Sequence, residues 1–127
     1  MDQRGVAIAV AERTGLSREE SADTTRAVLE GLADQLSEGE ARRLTAEFPG
    51  LADRLKPVGR RTREASPVDI SDFIRSLSER TGLTDAEAGR GAGAVLAVLR
   101  QNLTDADYGH LVGQLPAGYA GLADSAG

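Results

Sequence analysis

The 127-residue sequence lacks cysteine and tryptophan, and it contains only two phenylalanines and two tyrosines. Without cysteine the chain can form neither a disulfide nor a thiolate metal site. No stretch approaches the run of about 18 apolar residues that a membrane-spanning helix needs. No charged segment followed by an apolar one opens the chain, as it would in a secretory leader. We therefore expect a cytoplasmic protein that does not associate with membranes.

The few basic residues are concentrated in one short segment. The net charge is −5, and arginine supplies all but one of the 15 basic side chains. Residues 1–55 and 68–127 each carry a net charge of −4, whereas residues 56–67 carry +3. Two acidic segments therefore flank a basic connector. Because aromatic residues are scarce, leucine, valine and alanine must form the core.

One five-residue sequence, Glu-Arg-Thr-Gly-Leu, occurs at 12–16 and again 67 residues later at 79–83. Extended without a gap over 44 positions, the alignment contains fourteen identities, and its leucines stay in phase. A fixed offset of this kind indicates one supersecondary unit used twice. We expect a single domain over 1–127, with repeat one at about 4–55, the basic connector at 56–67 and repeat two at about 68–122. Each repeat alone is marginal for an independent core, so the two should share one.

The repeated sequence has the pattern of a helix end followed by a helix start. Its glycine suits the left-handed position just after a helix. Next comes Ser17 with Glu20 three residues later, and in the second copy Thr84 with Glu87. Each pair predicts a capping box, in which hydroxyl and carboxylate satisfy free backbone N–H groups.

Helical periodicity predicts three to four helices in each repeat and no β-sheet. The openers are expected at 4–13 and 71–80, the long central helices at 18–36 and 85–103, and third helices from Ser37 and Thr104 to the prolines at 49 and 116. A short last turn or helix follows in each copy, and we expect the final four residues to be disordered. The predicted inward positions of the long helices are Ala22, Thr25, Val28, Leu29, Leu32 and Leu36, and Ala88, Ala92, Val95, Leu96, Leu99 and Leu103. The fold class is therefore an all-α bundle of two pseudo-symmetric repeats.

The segment Gly89-Arg90-Gly91-Ala92-Gly93 resembles a phosphate-binding loop in its alternating glycines. Such a loop needs a strand before it and a helix after it. Here nothing strand-like precedes, no lysine follows, and the repeat alignment places the glycines inside a long helix. We therefore favour close helix packing or a locally weakened helix, with a small-molecule site at the cleft between the repeats as an alternative.

No residue pattern predicts catalysis, a cofactor or a metal. His110 is the only histidine, and a metal or acid–base site needs more partners than the nearby Asp107. The acidic pairs occur at helix starts, where they complement the helix dipole and cap N–H groups. We accordingly predict that the protein is not an enzyme and that it binds no metal or cofactor.

The best candidate binding residues are Arg60, Arg61 and Arg63 in the connector. Arginine suits contacts with phosphate or carboxylate groups. The acidic repeats would repel a nucleic acid, and aromatic stacking residues are missing nearby. An anchor for an acidic protein partner and a solvated linker are the other interpretations.

The motifs above resemble a bacterial family, domain of unknown function 2267. Those that carry the resemblance are Thr-Gly-Leu-Ser-x-Glu-Glu, Arg-Ala-Val-Leu-x-x-Leu-Ala-x-x-Leu-Ser-x-Gly-Glu-Ala and Phe-Pro, with a second set from Arg-Thr-Gly-Leu-Thr to Gln-Leu-Pro. The likeness covers about residues 5–122. It implies a small all-helical protein of two similar halves, with no catalytic residues to carry over. The chain departs from the pattern at Ala106-Asp107 and at the glycine triplet.

These observations together predict a non-catalytic helical interaction or regulatory module. We expect an unknown protein partner, with a homo-oligomer as another form of assembly. The alternatives are a small-molecule binder at the cleft between the repeats, and weak binding of nucleic acid or an acidic partner through the connector.

Overall fold

The computed structural model describes residues 3–47 and 68–126, and these residues form seven helices. They are α1 (Gln3–Thr14), α2 (Arg18–Gln35), α3 (Glu38–Glu47), α4 (Ile70–Thr81), α5 (Asp85–Asn102), α6 (Asp105–Gly113) and α7 (Tyr119–Ala126). The described ranges contain no strand, which confirms the all-helical prediction. None of their helices has the length and apolar character to cross a membrane. The inward position predicted for Phe48 and the helix end predicted at Pro49 lie outside the described residues, as do the connector and the short last turn of repeat one, which the sequence places at Leu51 and Leu55.

The two glycine-capped turns form as predicted. Gly15 and Gly82 adopt φ angles of 79° and 78°, the left-handed conformation in which a side chain would be strained. At the start of α2, the Glu20 backbone N–H donates to Ser17 Oγ at 3.1 Å, and the Ser17 N–H donates to the Glu20 carboxylate at 3.0 Å. Thr84 and Glu87 repeat both bonds at the start of α5, at 3.1 and 2.9 Å. The Glu87 carboxylate accepts from the Thr84 backbone N–H and from the Thr84 hydroxyl, and this lowers the pKa of the Glu87 carboxyl.

Removing a cap should weaken the fold measurably. We expect Ser17→Ala and Thr84→Ala each to lower the free energy of unfolding by about 0.5–2 kcal/mol, because a helix N–H loses its acceptor. Urea denaturation monitored by circular dichroism measures the change. The matched control is Ser76→Ala, an exposed serine in the interior of α4, which should change stability by no more than a few tenths of a kcal/mol. Equal losses in the cap variants and the control would refute the capping assignment.

The core lies between the long helices α2 and α5, which pack against each other. Leu29 and Leu96 are both completely buried, as are Val28, Leu32, Val95 and Leu99. At one close approach, a Cβ added to Gly91 of α5 would lie 2.7 Å from the Thr24 methyl of α2. Thr24 and Gly91 are 67 residues apart and therefore hold the same position in the two sequence repeats.

The shorter helices cover this central pair from both sides. α1 packs on α2 and α5, α4 packs on α5 and α2, and α7 packs along α5. Two polar contacts join α3 and its preceding turn to α6 and its end. The Arg43 guanidinium lies 3.4 Å from the Asp107 carboxylate, and the Ser37 N–H donates to Gln114 Oε1 at 2.9 Å.

Two details of the sequence-based prediction are wrong. Ala22 is exposed, and Ser21 is buried in its place. Ser21 is tolerated there because its hydroxyl donates to the Ala7 carbonyl of α1. The chain end is the second correction, because helix α7 continues through Ala126, and the Arg100 guanidinium of α5 pairs with Asp124 at 2.7 Å.

Candidate functional site

The candidate residues within the described part of the chain lie on different helices, with His110 on α6 and the glycine triplet on α5. Arg60, Arg61 and Arg63 lie outside the described residues, so their role stays a prediction. His110 lies exposed in the last turn of α6. No group of three or more metal-ligating side chains occurs within the parts of the chain that the structure describes.

The glycine triplet forms a packed helix face. All of residues 89–93 belong to the continuous helix α5, and Gly91, Ala92 and Gly93 are buried. An added Cβ at Gly91 would meet Thr24 at 2.7 Å and Leu16 at 3.9 Å, so this part of the seam between the repeats has no space for a ligand. Of the two interpretations offered for the triplet, the structure supports close packing. A cleft between the repeats, if it binds a ligand, must lie elsewhere.

A buried polar cluster joins the end of α2, the start of α7 and the residue two before α4. Gln35 Nε2 donates to the Tyr119 hydroxyl at 3.0 Å, and that hydroxyl donates to the Val68 carbonyl at 2.6 Å. The Val68 N–H in turn donates to Gln35 Oε1 at 2.8 Å, which closes a ring of three residues. Tyr119 also makes an edge-on contact with Phe73, with ring centroids 5.2 Å apart. The cluster therefore holds Val68, the residue that follows the connector, against both α2 and α7.

Tyr119→Phe should destabilise the fold, because it removes the hydroxyl that joins Gln35 to Val68 and leaves the aromatic ring in place. The Val68 carbonyl would lose its donor and Gln35 Nε2 its close acceptor, and each unpaired buried group costs about 1–3 kcal/mol. We expect the free energy of unfolding to fall by about 2–3 kcal/mol. Tyr108→Phe is the matched control, since the Tyr108 hydroxyl is buried without a partner among the described residues. That variant should be neutral or slightly more stable, and the hydrogen-bond ring would be refuted if the two variants behaved alike in urea.

Both tyrosines should also make the fold sensitive to alkali. Burial raises the pKa of Tyr108 and, in spite of the hydrogen bond from Gln35, that of Tyr119. The folded chain therefore retains phenolic protons that the unfolded chain loses above its pKa of about 10. This contribution to stability is complete below about pH 10 and is lost as the pH rises through the raised pKa values. Urea denaturation between pH 8 and 11 should show a steeper loss for the wild type than for the variant with both tyrosines changed to phenylalanine, and parallel curves would contradict this.

An open groove of about 300 Å³ lies between α2 and the last turn of α4. Six residues line it: Asp23, Arg26, Ala27, Glu30, Arg80 and Thr81. Arg26 pairs with Asp23 at 2.6 Å, and Arg80 reaches from α4 to Glu30 of α2 at 2.7 Å. The lining is mostly polar and carries charges of both signs.

Residues 6–122 match the family model described as an uncharacterized conserved protein, DUF2267. The chain belongs to the DUF2267 family. No curated protein and no solved structure matches it. The DUF2267 match extends from Val6 in α1 to Leu122 in α7, so it includes the Gln35–Tyr119–Val68 cluster and the α2–α4 groove.

The sequence patterns indicated neither the Gln35–Tyr119–Val68 cluster nor the α2–α4 groove. Gln35 and Tyr119 are 84 residues apart, and no local pattern signals their contact. The α2–α4 ion pair joins Glu30 and Arg80 across 50 residues. The one available signal was a glutamine at a position that helical periodicity places beside the core, where an amide needs partners.

Proposed function

We propose that this DUF2267 chain is a non-catalytic helical module that binds a protein partner. The proposal is supported by the partners of the acidic side chains, which are helix caps and arginines. Glu20 and Glu87 are engaged in the capping boxes of α2 and α5, and Asp23, Glu30 and Asp124 form ion pairs with arginines. Structural roles thus account for groups that an acid–base site would otherwise require.

The chemistry of the partner follows from the charge distribution. Two halves that each carry a net charge of −4 flank the connector with its charge of +3. An acidic protein surface would be attracted to Arg60, Arg61 and Arg63, whose guanidinium groups suit bidentate contacts with carboxylates. A nucleic acid meets the same arginines but is repelled along its length by both halves.

We also propose that the two repeats form one domain and are related by an approximate two-fold axis near the contact of α2 with α5. A residue close to a two-fold axis lies against the equivalent residue of the other copy. Thr24 lies against Gly91, which is its equivalent in the second repeat. The packing of α1 and α4 supports the same relation, because each lies on both long helices. The helix bounds agree with it too: Gln3–Thr14 and Ile70–Thr81, and Arg18–Gln35 and Asp85–Asn102, differ by the repeat offset of 67.

Partner binding can be tested with two charge-matched triple variants of the full chain. One changes Arg60, Arg61 and Arg63 to glutamine, and the other changes the exposed arginines Arg4, Arg75 and Arg90. A partner captured from the host is produced separately, and its affinity for each variant is measured by fluorescence anisotropy at several salt concentrations. We expect the connector variant to bind at least about tenfold more weakly and the control variant to bind like the wild type, since one lost charged hydrogen bond alone accounts for about that factor.

Three results would overturn this proposal. The first is equal affinity of the connector variant and the wild type for the captured partner. The second is tight, steeply salt-dependent binding of a nucleic acid in place of a protein. The third is turnover of a substrate by the purified chain that a point substitution abolishes.

A further inference from the structure

The pairing of α2 with α4 does not require the charges of the groove between them. The Asp23–Arg26 pair is exposed, and a pair of that kind contributes only about 0–1 kcal/mol to stability, whereas the Glu30 carboxylate that pairs with Arg80 is 18 % exposed. The second sequence repeat has Arg90, Gly93 and Ala97 at the positions of Asp23, Arg26 and Glu30. Gly93 and Ala97 are buried, yet α1 packs on α5 as α4 packs on α2. The same helix pairing therefore forms without the charged side chains.

The groove presents hydrogen-bonding groups that the protein leaves available. A guanidinium has five N–H donors. Arg26 and Arg80 each use one nitrogen in an ion pair, and their side chains are 34 % and 45 % exposed. Asp23 is 56 % exposed beside Arg26. The Thr81 hydroxyl is already engaged, since it donates to the Leu77 carbonyl and accepts from the Leu83 N–H at 3.3 Å. The groove therefore offers donors for an anionic group and acceptors for a cationic one, a short distance apart.

We infer that the α2–α4 groove binds a small zwitterion, a free amino acid or a dipeptide. The carboxylate of the ligand lies against Arg26 and Arg80, and its ammonium group lies against Asp23. A purely anionic ligand would be repelled by Asp23 and Glu30, and a purely cationic one by the two arginines. An apolar ligand finds too little apolar surface in a lining that is mostly polar. The groove is open to solvent and about 300 Å³ in volume, which restricts the ligand to a small molecule.

This inference does not depend on the proposed partner binding and is tested on the purified full chain. Amino acids and glycyl dipeptides are titrated to about ten millimolar while backbone amide shifts are followed by NMR. Acetate, methylamine and sulfate are titrated in parallel. We expect at least one zwitterion to give saturable shifts at Asp23, Ala27 and Thr81. Acetate and methylamine, which carry only one of the two charges, should bind at least about tenfold more weakly.

Matched arginine variants locate the site. Arg80→Met and Arg26→Met should each weaken the binding about tenfold or more, because a charged hydrogen bond is lost. Arg100→Met is the control, since Arg100 forms an ion pair of the same 2.7 Å length as Arg80 and is 43 % exposed, but pairs with Asp124 of α7. It should bind like the wild type. The inference is overturned if no zwitterion gives a saturable shift, if sulfate or acetate binds as tightly, or if both groove variants retain full affinity.

Discussion

Leu29→Ala and Leu96→Ala should each lower the free energy of unfolding by about 2–5 kcal/mol. Both leucines are completely buried on the paired helices α2 and α5, so truncation removes apolar contacts and leaves a cavity between them. A domain of this size is stable by only about 5–15 kcal/mol, so either substitution removes a large share of its stability. Urea denaturation monitored by circular dichroism measures both effects.

The control for these core variants is Ile8→Ala on the outer face of α1. Ile8 is 46 % exposed, so much less apolar surface is lost on truncation. We expect a change below about 1 kcal/mol, partly offset by the higher helix propensity of alanine. If Leu29→Ala or Leu96→Ala cost no more than Ile8→Ala, the central helix pair would not be the core of the protein.

Gly91→Thr should be clearly more damaging than Gly89→Thr in the glycine triplet. An added Cβ would lie 2.7 Å from the methyl group of Thr24, which is itself buried and branched at Cβ and so cannot turn away easily. Overpacking of this kind costs about 1–3 kcal/mol or more, which exceeds the gain of about 0.5 kcal/mol from replacing a helical glycine. At Gly89 an added Cβ meets only Ile74, at 3.5 Å, so Gly89→Thr should cost clearly less. Equal losses at the two positions would argue against a close approach at Gly91.

The helices, their ends and most of the core could be predicted because their signals are local. The Ser17–Glu20 and Thr84–Glu87 pairs fix the starts of α2 and α5, and left-handed glycines precede both. Because the two repeats are offset by a fixed 67 residues, a helix end or core position predicted in one repeat could be compared with the equivalent position in the other. The pattern was wrong at Ala22 because the adjacent Ser21 is buried instead, and its hydroxyl donates to a backbone carbonyl of α1.

The Gln35–Tyr119–Val68 cluster and the α2–α4 groove could not be predicted because they depend on contacts between distant segments. Gln35 and Asn102 hold the same repeat position, and both end a long helix. Gln35 reaches Tyr119 and Val68, whereas the Asn102 amide donates to the Val98 carbonyl of its own helix. Only the tertiary structure distinguishes these two amides. The ion pair of Arg80 with Glu30 likewise requires that α4 lie on α2.

The central claim is that the two repeats are copies of one helical unit and that two equivalent positions, Thr24 and Gly91, are in contact. Exchanging Thr24 and Gly91 between the copies tests it in a double-mutant cycle of Thr24→Gly, Gly91→Thr and the exchanged pair. The account predicts that the pair is more stable than the sum of the single losses implies, with a coupling free energy of about 1–3 kcal/mol, since the exchange rebuilds the same contact in the opposite order. Losses that add to within about 0.5 kcal/mol would contradict it.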